Sequence, residues 1–275
     1  MTSDAALDGT ARQLPTRKVE KVWGRDTLPE PFVAPDAARI GEILFEPPPE
    51  MPELLVKYLF TSEKLSVQVH PSDATAQPGE AGKDECWLIL DAEPGAKLAI
   101  GFDERISPAR IEAAARDGSI EDLLTWHDVA PGEIYYLPAG TVHAIGPGLA
   151  LVEVQQNSDT TFRLYDYGRD RDLHLERGLA VAQGTPYAAR HKGTVAQREP
   201  CLVDGPYFRL DRIVGEPSAA DRDAYSQGAL VLPLEGEVTL RGAAGAVKAG
   251  ECAYAPSLDA IDLRHAGVTL LTRTA

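Results

Sequence analysis

Apolar and polar residues alternate along most of the chain, and a period of two is the signature of strands with one face buried. The clearest run is Leu65–Ser66–Val67–Gln68–Val69–His70–Pro71, which predicts Leu65, Val67 and Val69 on one face and Ser66, Gln68 and His70 on the other. Further strands are predicted at Val19–Gly24, Ile40–Glu46, Leu54–Phe60, Glu85–Leu90 and Leu98–Phe102, with Pro47–Pro48–Pro49 stopping the second of these. After them come a strand ending near Leu137, another carrying His143, and one from Leu149 to Gln156.

The period changes once. Ser107–Pro108 reads as a cap with proline at the first helical position, and Gly118–Ser119 restarts a second helix through Trp126. This predicts a helical insertion at 107–126 in a chain otherwise built of short strands. A short helix is expected at His174–Leu179, a linker at 184–200 and a loose tail at 1–14. From Cys201 short strands resume, and a pattern recurs: Gly132–Glu133, Tyr136 and Pro138 match Gly250–Glu251, Tyr254 and Pro256 in spacing. Two copies of one strand–turn–strand unit predict an all-β fold of two related units, 1–195 and 196–275, in sandwich or barrel form. The second copy has Leu258 and Ile261 where the first has Gly140 and His143, so it is expected to be structural.

Composition narrows the function. With 275 residues and 44% hydrophobic content the chain can bury a substantial core. A net charge of −15 speaks against nucleic acid and anionic membranes, which need a Lys/Arg surface. It leaves room for a small anionic substrate, because salt screens distant charge over about 8–10 Å. Three cysteines, odd in number and far apart, predict no disulfide framework. Met1–Pro15 lacks an apolar core of signal-peptide length and no run of 18 apolar residues exists, so a soluble cytoplasmic protein is expected.

Candidate chemistry lies on the polar faces. Gln68 and His70 point the same way, two residues apart, and Glu85 opens the next strand. Each has an ordinary alternative: a hydrogen-bonded strand histidine, a surface acid, a salt partner for Lys83. The spacing of Gly132, Pro138, Gly140 and His143 resembles the second motif of the cupin barrels, and Gln68–Val69–His70 followed by Glu85 resembles the first, with Gln where His is usual. Two imidazoles, a carboxylate and an amide oxygen suit Zn²⁺, and Fe²⁺ or Mn²⁺ also accept such donors.

A closer resemblance rests on Leu54–Asp73, Gly82–Trp87, Pro138–Ile145 and Glu153–Arg163, with Val22–Trp23–Gly24 upstream. Over roughly residues 18–180 these stretches look like the type I mannose-6-phosphate isomerases. The resemblance implies a cupin barrel with one Zn²⁺ per chain held by Gln68, His70, Glu85 and His143. It also implies an active-site arginine at Arg163, a substrate-pocket lysine at Lys83 and a proton-shuttling acid at Glu153. The substrate implied is a small sugar phosphate, with mannose 6-phosphate and fructose 6-phosphate interconverted through a cis-enediol. Larger members carry a histidine just before the lysine, where this chain has Gly82. Glu153 also reads as a simple partner for Arg163. The rival classes are a metal-dependent cupin oxygenase and a non-catalytic sugar-binding cupin.

Overall fold

The computed structural model describes residues 10–242 and 245–275. Its strands form three antiparallel sheets, and their stacking puts one polar face of the sequence pattern inside a barrel. A seven-stranded sheet runs in the order Lys192–Thr194, Glu133–Leu137, Glu85–Ala92, Leu149–Gln156, Leu54–Phe60, Ile40–Phe45, Thr16–Arg25. A five-stranded sheet runs Phe162–Tyr165, Val67–Val69, His143–Ile145, Lys97–Phe102, Leu124–Asp128. Between them lie Trp23, Leu59, Leu65, Trp87, Ile89, Tyr135, Ile145 and Leu151, a closed apolar plug at one end of the barrel.

Alternation gives each sheet a second face. Tyr58, Phe60, Cys86, Leu88, Val152 and Val154 leave the barrel on the far side of the seven-stranded sheet and pack against Phe208, Leu210, Leu232 and Leu270 of an eight-stranded sheet. That sheet is built on Ala229–Leu240, Ala266–Thr274 and Phe208–Val214 and encloses its own core around Tyr225, Val231 and Leu271. On the outside of the five-stranded sheet, Val67, Val69, Ala144 and Leu164 pack on Ile111, Ala114 and Ile120 of the helices.

Several sequence expectations change here. Strand geometry in the leading run spans only Val67–Val69; Leu65 turns instead into the barrel, its N–H donating to Ile145 O at 2.8 Å. The second helix is short, Ile120–Leu123, and Trp126 belongs to strand Leu124–Asp128, paired with Ala99. Leu-Thr-Trp-His-Asp is rich in strand formers, and a free sheet edge claims it. The first helix, Pro108–Asp117, starts as expected, with Ser107 Oγ accepting from Arg110 N. The predicted linker at 184–200 holds the edge strand Lys192–Thr194 and the helix Val195–Arg198, closed by a Thr194/Gln197 capping box. Most of the predicted tail, residues 1–9, lies outside the described residues; beyond them Arg12 and Gln13 pair with Tyr254 and Ala253, and Leu14 N donates to Cys252 O.

The repeated motif has one physical basis in both copies. Glu133 accepts from Ala130 N and Glu251 accepts from Lys248 N, each closing a turn that passes through a glycine at positive φ, Gly132 at 83° and Gly250 at 90°. No helix among the described residues is long and apolar enough to cross a membrane.

Thr61 ties the barrel's turn to its sheet. Its buried hydroxyl donates to Gly146 O at 2.8 Å and accepts from Leu149 N at 3.0 Å. Thr61→Val keeps the shape and orphans both backbone groups, so it should cost about 2–3 kcal/mol. Urea unfolding followed by circular dichroism checks this; an unchanged midpoint would show that the hydroxyl carries no stability.

Candidate active site

Strand register brings the site together. His143 lies directly opposite Gln68 across one ladder, and Gln68 lies opposite Arg163 across the next. On the facing sheet, Gln155 pairs with Glu85 and Glu153 with both Trp87 and Lys57. His70 follows the end of its strand and is fixed by Gly140 N, which donates to His70 O at 2.8 Å. Asp84 clamps the Glu85 strand to the same turn: its Oδ1 accepts from Ala139 N at 2.9 Å and its Oδ2 from the Tyr136 hydroxyl. Burial raises the Asp84 carboxyl above its ordinary range, against these hydrogen bonds.

The two imidazoles have defined tautomers. His70 Nδ1 lies 2.9 Å from Thr160 O and His143 Nδ1 lies 2.9 Å from Thr141 O. A carbonyl only accepts, so both Nδ1 atoms carry hydrogen and both Nε2 lone pairs point inward. There they meet Glu85, with His143 Nε2 at 3.3 Å from Oε1 and His70 Nε2 at 3.6 Å from Oε2. Glu85 is 1% exposed, and neither carboxylate oxygen accepts a hydrogen bond of good geometry. Burial, reinforced by Lys83 and His143, holds His70 well below the usual imidazole range; burial likewise lowers His143, against the pull of Glu85. Burial pushes Glu85 up, but Lys83, His143 and Lys57 outweigh it, and the carboxyl sits below its ordinary value.

Three donor atoms from His70, Glu85 and His143 thus lie within 4.8 Å of one another, buried, with the Nε2 lone pairs turned inward and Lys83 Nζ 3.4 Å from His70 Nε2. The amide of Gln68 joins them, its nitrogen 3.2 Å from His143 Nε2; its oxygen is the end a cation would take. Two neutral imidazoles, one carboxylate and one amide match the nitrogen and oxygen donors that Zn²⁺ takes in four-coordinate sites. The residues fit the group.

Beside this cluster opens a cavity of about 470 Å³ lined by Gln68, Lys83, Glu153 and Arg163, together with Lys21, Lys57, Arg171 and His174. Lys83 Nζ stands 2.9 Å from Glu85 Oε2 and 3.6 Å from Glu153 Oε1. Glu153 does not pair with Arg163. Its Oε1 is 3.0 Å from Lys57 Nζ, and its Oε2 accepts from Trp87 Nε1 at 3.1 Å. Arg163 makes no salt bridge among the described residues; its guanidinium reaches only Asp172 O, at 3.4 Å. Lys57, Glu42 and Lys21 escaped the sequence reading, although Lys57 was visible as a lone cation inside the apolar run Leu54–Phe60. His174 and Arg171 left no comparable signal.

Comparison with known proteins agrees. The chain is 36% identical over 199 residues to the mannose-6-phosphate isomerase ManA of Bacillus subtilis, covering 67% of this chain and 62% of that protein. It is 38% identical over 171 residues to the mannose-6-phosphate isomerase of Streptococcus mutans, covering 57% and 53%. By sequence and fold this chain is similar to the mannose-6-phosphate isomerases. The aligned stretch spans between half and two thirds of the curated relatives' length. The fold likeness is more extensive: a crystal structure of the Bacillus subtilis mannose 6-phosphate isomerase superposes with a TM-score of 0.77 at 25% identity, covering 96% of this chain and 99% of that one. A zinc-bound mannose 6-phosphate isomerase shares the fold with a TM-score of 0.65 at 15% identity, covering 96% and 99%. No protein-family model matches the chain.

Glu85→Ala removes the one anionic donor of the cluster. Its zinc affinity should fall by more than the roughly 100-fold seen when supporting residues of metal sites are lost. Calorimetric titration of zinc into the two apo proteins measures this; equal affinities would mean the ion binds elsewhere.

Proposed function

We propose that the chain interconverts mannose 6-phosphate and fructose 6-phosphate, with one Zn²⁺ per chain held by Gln68, His70, Glu85 and His143. The observation that carries this reading is a buried cluster of metal-type donor atoms beside a cavity that Gln68 and Lys83 also line, with an arginine there that makes no salt bridge among the described residues. Bound there, zinc supplies Lewis-acid polarisation of sugar oxygens.

The chain's own residues supply the rest. Glu153 takes the proton from carbon 2 and returns it at carbon 1, which requires a carboxylate that reaches both carbons of the open-chain sugar. Lys57 and Lys83 flank it with positive charge. Lys83 exchanges protons with the sugar hydroxyls as the carbonyl moves from carbon 1 to carbon 2. Arg163, permanently cationic and forked, stabilises the enediolate or holds the phosphate. Position 82 provides no side chain for acid–base work: a Cβ there would lie 2.4 Å from Asp73 N.

In this reading residues 1–195 are the catalytic unit and 196–275 a second cupin-like unit without metal ligands. A cytoplasmic setting suits Cys86, Cys201 and Cys252, all of which are free thiols.

Zinc-loaded protein given mannose 6-phosphate should yield fructose 6-phosphate without oxygen uptake, and chelation should abolish the turnover. Oxygen consumption would favour an oxygenase, and binding without product a sugar-binding cupin. Arg163→Ala should keep its zinc and lose about 10²–10³ in kcat. Loss of zinc in that variant would make Arg163 structural.

A further inference from the structure

His174 lines the same cavity as Arg163 and is the one histidine outside the metal cluster to do so among the described residues. Its placement is specified twice by the backbone of Arg163. His174 N donates to Arg163 O at 2.8 Å, and Arg163 N donates to His174 Nδ1 at 3.2 Å. The second bond decides the tautomer. A backbone N–H only donates, so Nδ1 must be the bare, accepting nitrogen and the hydrogen of the neutral ring resides on Nε2. Nε2 has no partner among the described residues.

From this we infer that His174 is a further catalytic residue, a neutral imidazole whose Nε2–H donates to a sugar oxygen on which enediolate charge develops. The inference rests on the isomerase reading above. The role is donation without proton transfer: no bond to carbon forms, and the ring neither gains nor loses a proton. A neutral imidazole N–H is well suited to this, because it stabilises developing charge without quenching the carboxylate that moves the proton. The surroundings favour neutrality. Burial, the Arg163 cation and, more distantly, Arg177 outweigh Asp172 and place the His174 imidazole below its ordinary range. Protonation at Nδ1 would also break the bond from Arg163 N.

Two measurements test it. In wild-type protein, nitrogen-15 spectra of the His174 ring should show the Nε2–H tautomer, with Nε2–H moving downfield on addition of mannose 6-phosphate. An Nδ1–H tautomer, or a ring indifferent to the sugar, would overturn the inference whether or not the protein turns over. In steady-state kinetics His174→Ala should lose about 10²-fold in kcat with zinc content unchanged, and His174→Gln, whose amide N–H replaces the Nε2–H, should recover most of it. Full activity in His174→Ala, or equal losses in both variants, would overturn it. Absence of isomerase activity in the wild type would instead defeat the reading on which it rests.

Discussion

A carboxylate sealed from water, with one lysine ammonium beside it and two imidazole lone pairs facing it, is the constraint from which the site follows. Glu85 is buried between two sheets, and neither oxygen accepts a hydrogen bond of good geometry. An ion in that position costs several kcal/mol unless positive charge compensates it. Lys83 supplies one compensating charge at 2.9 Å. The two imidazoles supply none, because their hydrogens are committed to Thr160 O and Thr141 O and their lone pairs face the carboxylate. A cation among these donors would face all of them at once.

The architecture enforces this geometry from outside. The seven-stranded sheet is held on its outer face by the eight-stranded sheet, and the five-stranded sheet by the helical insertion. Side chains that face inward therefore have little freedom to turn away. The barrel is filled at one end by Trp87, Tyr135 and Leu151, and the polar cluster occupies the space that apolar packing leaves. The C-terminal strands repeat the glutamate-closed turn, carry Leu258 and Ile261 in buried positions, and pack their sheet on the outer face of the seven-stranded sheet.

What the sequence disclosed and what it hid divide along a physical line. Alternation shows Gln68 and His70 sharing a strand face, a local property; Glu85 and His143 join them only through resemblance to known motifs, and the structure gathers His70, Glu85 and His143 into one buried group. Glu153 reads from sequence either as a proton shuttle or as a partner of Arg163; the second alternative falls, because Lys57 is its cross-strand neighbour and register is not a local property. The strand at Leu124–Asp128 and the edge strand at Lys192–Thr194 were read as helix and linker because an unfilled sheet edge recruited them. His174 was placed at a helix start, with nothing nearby to reveal that its ring accepts from the backbone of Arg163 eleven residues earlier.

Zinc-edge X-ray absorption on the metal-loaded protein tests the central claim most directly. The account predicts one zinc in a first shell of nitrogen and oxygen at about 2.0–2.2 Å, with the outer-shell scattering of two imidazoles and no sulfur. A shell of oxygen alone, or one containing sulfur, would place the ion away from His70, Glu85 and His143 and contradict it.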